Sequence, residues 1–306
     1  MSKRKTIFLS LLVMALWGSL FPCVKIGYKA FAIHSSDIPD ILMFAGIRFA
    51  VCGAVICAFS FLRKEKLGSS TVRSIGSILW IGLFSIILHY AFTYIGLGST
   101  DSSKTAIIKQ FGALIYVCFA FLFFKNETFN LWKIIGAVIG FAGIIAINFS
   151  TEGIRFSLGD LLIVGASVCT VVGNVLSKKN LATNSPFWVT GISQLFGGAV
   201  LTLVALILGA DLLAFNWCGA GIFAYICIAS TISYVLWNYI LRKSELSNMF
   251  IIKFAEPLFA CVFGAILLQE SIFKLQYLFA FILISVGIIL GNKKPKKDKN
   301  ERGKSS

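Results

Sequence analysis

Apolar runs of about 18–23 residues, separated by short polar segments, recur along the whole chain. They predict membrane-spanning helices over approximately 7–28, 41–62, 74–97, 103–124, 130–148, 159–177, 187–208, 219–241, 248–268 and 274–292. Lipid offers no water to backbone polar groups, so a run of this length must satisfy them internally as a helix. The connecting loops are short, which predicts antiparallel packing of consecutive helices.

The polar segments carry charge unevenly. Take the N-terminus and every second loop as one side. That side holds Lys3, Arg4, Lys5, Arg63, Lys64, Lys66, Arg73, Lys125, Lys133, Lys178, Lys179, Arg242, Lys243 and the basic tail NKKPKKDKNERGKSS. The other side holds Lys29, Lys104, Arg155 and Lys274. An excess of about five to one predicts both termini in the cytoplasm, an even number of spans, and a multi-pass protein of the cytoplasmic membrane. The N-terminal MSKRK precedes an apolar run with no small-residue cleavage site, which reads as an uncleaved first span. The tail, 293–306, is expected to rest against anionic lipid headgroups.

The second half repeats the first. Residues 105–148 align without gaps on 249–292, with Ile107/Ile251, Ile108/Ile252, Lys109/Lys253, Phe129/Phe273, Gly143/Gly287 and Asn148/Asn292 among the identities. The paired lysines and asparagines carry more weight than apolar matches. Five spans per half is odd, so the second half enters the membrane upside down, an inverted-topology repeat with a substrate site at the repeat interface. The expected fold is an all-α integral membrane protein of ten transmembrane helices in two inverted five-helix repeats. The expected units are 1–149, 150–292 and the tail.

Composition agrees with this picture. The chain is 58% hydrophobic and 13% charged, with a mean hydropathy of +0.87, against about 45–50% apolar and about 25% charged for soluble domains. The net charge of +15 sits in loops and tail, so it reads as topogenic and predicts no nucleic-acid partner. The eight cysteines lie in or beside apolar runs and read as small buried hydrophobes. With only His34 and His89 available, no metal centre is expected. No P-loop, dinucleotide fingerprint or nucleophile–base–acid set occurs, so neither an enzyme nor a cofactor is expected.

Ionisable residues inside spans are expensive and mark function. Six carry that reading: Lys25, Arg48, His89, Lys109, Lys253 and Glu256. Lys109 shares a helical stripe with Thr105, Gly112 and Tyr116, and Lys253 shares the equivalent stripe with Met249, Glu256 and Ala260. Each lysine sits roughly 9 Å along its helix. A cavity wall is the preferred reading and snorkelling to headgroups the alternative. Lys253 and Glu256 are spaced to pair at i, i+3. Pro257 removes the N–H that would bond the Lys253 carbonyl, and Pro22 does the same for Gly18, which predicts kinks. Glu256 then reads either as a proton-coupling or amine site, or as a neutralised pair holding the kink. Lys25 and Arg48 lie near the outer ends of their spans and are expected to snorkel. His89, near Tyr90 and Tyr94, reads first as packing and second as a proton site. Asn174, Trp237 and Asn238 give hydrogen-bonding capacity to the sixth and eighth spans, as interhelical contacts or as substrate ligands.

Trp17-Gly18-Ser19 with Lys25, Arg48, Glu256-Pro257 and Gln269-Glu270 resemble the ten-helix, EamA-like members of the drug/metabolite transporter superfamily across residues 7–292. Ala113 and Asn126-Glu127 depart from that pattern. The resemblance implies a central cavity lined by spans 1, 3, 4, 6, 8 and 9, alternating access without ATP, and export. Four intramembrane cations and one histidine against one carboxylate favour anionic or zwitterionic solutes. The expected function is secondary transport of small polar metabolites, amino-acid-like or carboxylate-bearing. A phosphorylated or lipid-linked substrate is the second reading, and a non-transporting membrane scaffold or receptor the third.

Overall fold

The computed structural model describes residues 3–34, 36–68, 71–97, 102–119, 130–147, 157–211, 216–269 and 275–291. Among them every regular element is helical. The helices are α1 (Lys3–Ala30), α2 (Ile38–Leu62), α3 (Thr71–Gly82), a π-helical stretch (Leu83–Leu88), α4 (His89–Leu97), α5 (Ser102–Phe119) and α6 (Leu131–Ile147). They continue as α7 (Leu158–Asn180), α8 (Pro186–Ile207), α9 (Trp217–Lys243), α10 (Leu246–Lys253), α11 (Glu256–Leu268) and α12 (Leu275–Gly291). Seven helical stretches are long and apolar enough to cross a membrane: Arg4–Ala30, Ile38–Leu62, Val72–Thr93, Leu158–Asn180, Pro186–Ile207, Trp217–Lys243 and Leu246–Leu268. Leu131–Gly143 and Phe281–Gly291 are shorter apolar helices. The second part of the run predicted over 103–124 lies outside the described residues.

Local chemistry starts the helices where the polar breaks fall. Asp37 accepts from the Asp40 N–H ahead of α2. Ser157 and Asp160 form a reciprocal capping box on α7, with bonds of 3.2 and 2.6 Å. Ser185 caps α8 with Pro186 in its first turn, and Asn216 caps α9. Large apolar side chains such as Phe8, Phe61, Ile207, Ile228, Ile266 and Ile289 point outward and are exposed. That surface suits hydrocarbon, where apolar atoms lose nothing by facing the solvent.

Glycines set the helix pairs. α2 runs antiparallel to α8, with Gly46 against Thr202, Gly53 against Leu195 and Gly191 against Cys57. α6 runs antiparallel to α12, Gly136 facing Gly287 and Gly291. A Cβ added to Gly287 would sit 2.6 Å from the Gly136 carbonyl oxygen and 2.7 Å from the Gly140 nitrogen. α1 packs on α9 and α11, while α7 packs on α4 and α5.

One large apolar cluster fills the half of the bundle that holds the N-terminus. It joins Met14, Ile78, Tyr116, Leu241 and Phe250 from five helices with Leu181 and Phe254 just past the ends of α7 and α10. Two lysines hold its rim. Lys133, buried at the start of α6, makes a 2.6 Å ion pair with Glu245 ahead of α10. Lys178 donates to the Leu241 carbonyl at 2.6 Å and to that of Ser244, so it caps the end of α9.

Candidate functional site

Two interruptions of helical geometry border the polar interior. The π-helical stretch Leu83–Leu88 ends directly at His89, and such insertions rotate the following side chains relative to a regular helix. On the other side, α10 stops at Lys253, and α11 restarts at Glu256 with Pro257 in its first turn. Proline cannot donate to the preceding turn, and its ring crowds the carbonyl four residues back. α1, by contrast, continues through Pro22 without a break.

His89 is aimed by α7. Its Nδ1 lies 3.0 Å from the Ala166 carbonyl oxygen and 3.0 Å from Thr170 Oγ1. The carbonyl only accepts, so the proton belongs on Nδ1 and Nε2 is left as the acceptor. One turn along α7, Asn174 Oδ1 accepts a 2.7 Å bond from Trp237 Nε1 of α9. Trp237 packs on Trp17 of α1, with ring centroids 5.1 Å apart, and Trp17 packs on Tyr234 at 5.3 Å. Tyr234 also lies within electrostatic reach of Tyr90 and Arg48.

The charged groups meet here. Lys109 of α5, Lys253, Glu256 and His89 are all half-buried. Lys109 lies within electrostatic reach of Glu256 and Lys253, and His89 within reach of both lysines. The structure does not join Lys253 to Glu256. Between them Phe254 and Ala255 turn with i→i+3 backbone bonds in place of α-helical ones, and no ion pair spans that turn. Lys253 Nζ lies instead over the Trp17 ring, 5.6 Å from its centroid. Glu256 Oε2 and Trp17 Nε1 are buried without a hydrogen-bond partner.

Other expected positions separate from this group. Arg48 does not snorkel. It is 5% exposed, stacks over Phe49 at 4.3 Å, and donates to the Tyr90 hydroxyl at 3.1 Å. The neighbouring helix supplies an acceptor and Phe49 of its own helix a π face, which together outweigh the pull of the headgroups. Lys25 is exposed on the bundle surface. Tyr116 is 1% exposed and packs edge-on against Phe250 inside the apolar cluster. Asn238 is buried and donates to Thr190 Oγ1 at 2.8 Å, joining α9 to α8. Gly18 lets α1 touch α11 just beyond Pro257, since a Cβ there would lie 2.5 Å from Phe259 Cβ. The Tyr94 side chain and Glu270 lie outside the described residues.

Thr170, Tyr90 and Tyr234 join the site although the sequence does not single them out. Tyr234 stands three residues before Trp237 on α9, and that spacing was the available signal. The whole arrangement offers two ammonium groups, one carboxylate, an imidazole acceptor and an aromatic wall. Such a set suits a small solute bearing a carboxylate, an amine or both.

Comparison with known proteins agrees with the fold. The profile of the EamA-like transporter family matches twice, over residues 4–149 and 157–292. An uncharacterized transporter of Bacillus subtilis (strain 168), YvbV, is 27% identical over 301 residues, covering 97% of this chain and 94% of its own. An uncharacterized inner membrane transporter of Escherichia coli (strain K12), YedA, is 25% identical over 289 residues, covering 92% and 90%. A crystal structure of a protein superposes with a TM-score of 0.76 over 95% of this chain and 97% of that one, at 16% identity. Its likeness speaks for the fold. Helical throughout its described residues, apolar on its outer surface and matched by a transporter profile in both halves, this multi-pass membrane protein is no enzyme; it belongs to the EamA-like transporter family.

Proposed function

We propose that the protein is a secondary transporter that moves small polar metabolites, amino-acid-like or carboxylate-bearing, across the cytoplasmic membrane by alternating access. Export is the direction that the family resemblance implies. The observation that carries the reading is that Lys109, Lys253, Glu256 and His89 are all half-buried and lie within electrostatic reach of one another across helices. A half-buried cation pair in lipid is costly unless an anion or a wet cavity answers it. A substrate carboxylate answers both lysines, and Glu256 answers a substrate amine.

The same reading has ten spans in two inverted repeats, over 1–149 and 150–292, with both termini and the 293–306 tail in the cytoplasm. α3, the π-helical stretch and α4 then form one span, α10 and α11 another, and α5, α6 and α12 complete the set. Several packings support this. The repeat-equivalent helices α2 and α8 run in opposite directions, as do α6 and α12. α7 touches α4 and α5 as α1 touches α9 and α11. Alternating access then moves one set of helices against the other around a central site.

The test is flux. Purified protein in proteoliposomes is offered a panel of labelled amino acids, carboxylates, phosphate esters and organic cations. The expected result is saturable movement of a carboxylate-bearing or zwitterionic solute, with Lys109→Met lowering its kcat/KM by at least about tenfold, the worth of one charge-assisted hydrogen bond. Unchanged kinetics in that variant, or movement of phosphate esters alone, overturns the substrate class.

A further inference from the structure

Anion binding does not account for the aromatic side of this group. Trp17, Tyr234 and Trp237 form a cluster whose rings are tilted by 58° and 47° to one another. Glu256 lies within electrostatic reach of Tyr234, and its Oε2 has no hydrogen-bond partner. Tilted ring faces beside a carboxylate form a receptor for an organic cation, which is drawn by the quadrupoles and the acid and needs no hydrogen bond. One ring of the cluster already faces a cation. Lys253 Nζ lies over Trp17, delivered by the last residue of α10.

The geometry points to Lys253 as a tethered occupant of an open cation cage: Trp17 supplies the ring beneath the ammonium, Tyr234 and Trp237 pack on that ring, and Glu256 lies near it. The inference rests on the transport reading and deepens it by naming what the site rejects. A free cation must displace an ammonium that is covalently attached and therefore present at high local concentration. It must also bring a second positive charge beside Lys253 and Lys109, and like-charge juxtaposition is an effective device against a wrong ligand. A zwitterion meets neither obstacle. Its carboxylate gives Lys253 a new partner off the ring, and its own ammonium takes the vacated place beside Glu256. Lys253 is thus a specificity-determining residue: it selects solutes that carry both charges over solutes that carry the cation alone.

Tetramethylammonium is the probe, because it fits an aromatic cage and makes no hydrogen bonds. Binding to the full chain in lipid nanodiscs is followed by calorimetry for the wild type, Lys253→Arg, Lys253→Met and the double variant Lys253→Met with Trp17→Leu. The wild type and Lys253→Arg are expected to bind it weakly or not at all. Lys253→Met is expected to bind it at least about tenfold more tightly, and the double variant to lose that gain. A folded Lys253→Met that binds no better than the wild type, or a double variant that keeps the gain, overturns the proposal. Should Lys253→Met fail to fold, amine acetylation read by peptide mass spectrometry decides. Lys253 should react several-fold faster in Trp17→Leu than in the wild type, and equal rates refute the cage. Zwitterion flux in the wild type is a separate readout. Flux with no change in tetramethylammonium binding removes the cage alone, and absent flux removes the transport reading.

Discussion

His89 and Trp237 show how single side chains are positioned in this bundle. Each makes its decisive hydrogen bond to α7, from a different helix: His89 to Ala166 and Thr170, Trp237 to Asn174. Trp237→Phe keeps an aromatic ring against Trp17 but removes the indole donor to Asn174 together with part of a buried ring. It should lower stability by about 1–3 kcal/mol, the cost of leaving a buried acceptor without its donor. Chemical denaturation in detergent measures this, and a loss beyond about 3 kcal/mol would mean that ring packing was disturbed instead. Arg48 shows the limit of reading residues singly. Its place near a span end argues for snorkelling, but the Tyr90 hydroxyl that accepts from it comes from another helix. Nothing within a turn of Arg48 announces that partner.

At the scale of elements, the break between α10 and α11 is the feature with most consequence. Pro257 was legible in the sequence, and the interruption it causes follows from its missing N–H. What could not be read was its effect on the charges. Across the turn between Lys253 and Glu256, the expected ion pair is absent: Lys253 lies over Trp17 and Glu256 Oε2 is left without a hydrogen-bond partner. Pro257→Ala restores the donor, so it should favour a continuous helix and bring Lys253 back toward Glu256. The expected readout is a lower flux kcat with retained or raised stability. A variant with wild-type flux would make the break incidental. The α6–α12 pair responds in the opposite sense. Gly287→Val places methyl groups against the Gly136 carbonyl, and overpacking of this kind costs about 1–3 kcal/mol. Thermal unfolding should fall accordingly, whereas Val286→Ala, on the exposed face of the same helix, should leave it almost unchanged.

At the scale of the whole molecule, the bundle is closed at the end that holds the N-terminus. The apolar cluster fills that end, and Lys133–Glu245 and Lys178 pin the α9–α10 corner over it. The two partners of the ion pair are unequal. Lys133's side chain is 8% exposed and Glu245's 40%. Glu245→Gln therefore takes the counter-charge from a buried ammonium, while Lys133→Met leaves a carboxylate that water can reach. Losing a counter-charge costs more at a buried group than at a solvated one, where it is about 0–1 kcal/mol. Glu245→Gln should thus open this end more than Lys133→Met. The check is the labelling rate of a cysteine placed at Leu241, with the larger increase in Glu245→Gln. Equal rates would remove the rim pair from any role in closure.

The apolar runs, their lengths and the charge bias of the loops are sums over neighbouring residues, so the chain alone announced a helical membrane protein and its repeat-matched lysines. The helix starts at Ser157, Ser185 and Asn216 belong to the same class, since capping is settled within a turn. Partnership is different. That Lys253 faces Trp17, that Arg48 turns to Tyr90 and that Tyr116 lies in the apolar cluster depend on where helices remote in the chain come to lie. A helix in lipid must satisfy its own backbone, but only its neighbours decide which of its side chains meet a ring, a carboxylate or hydrocarbon.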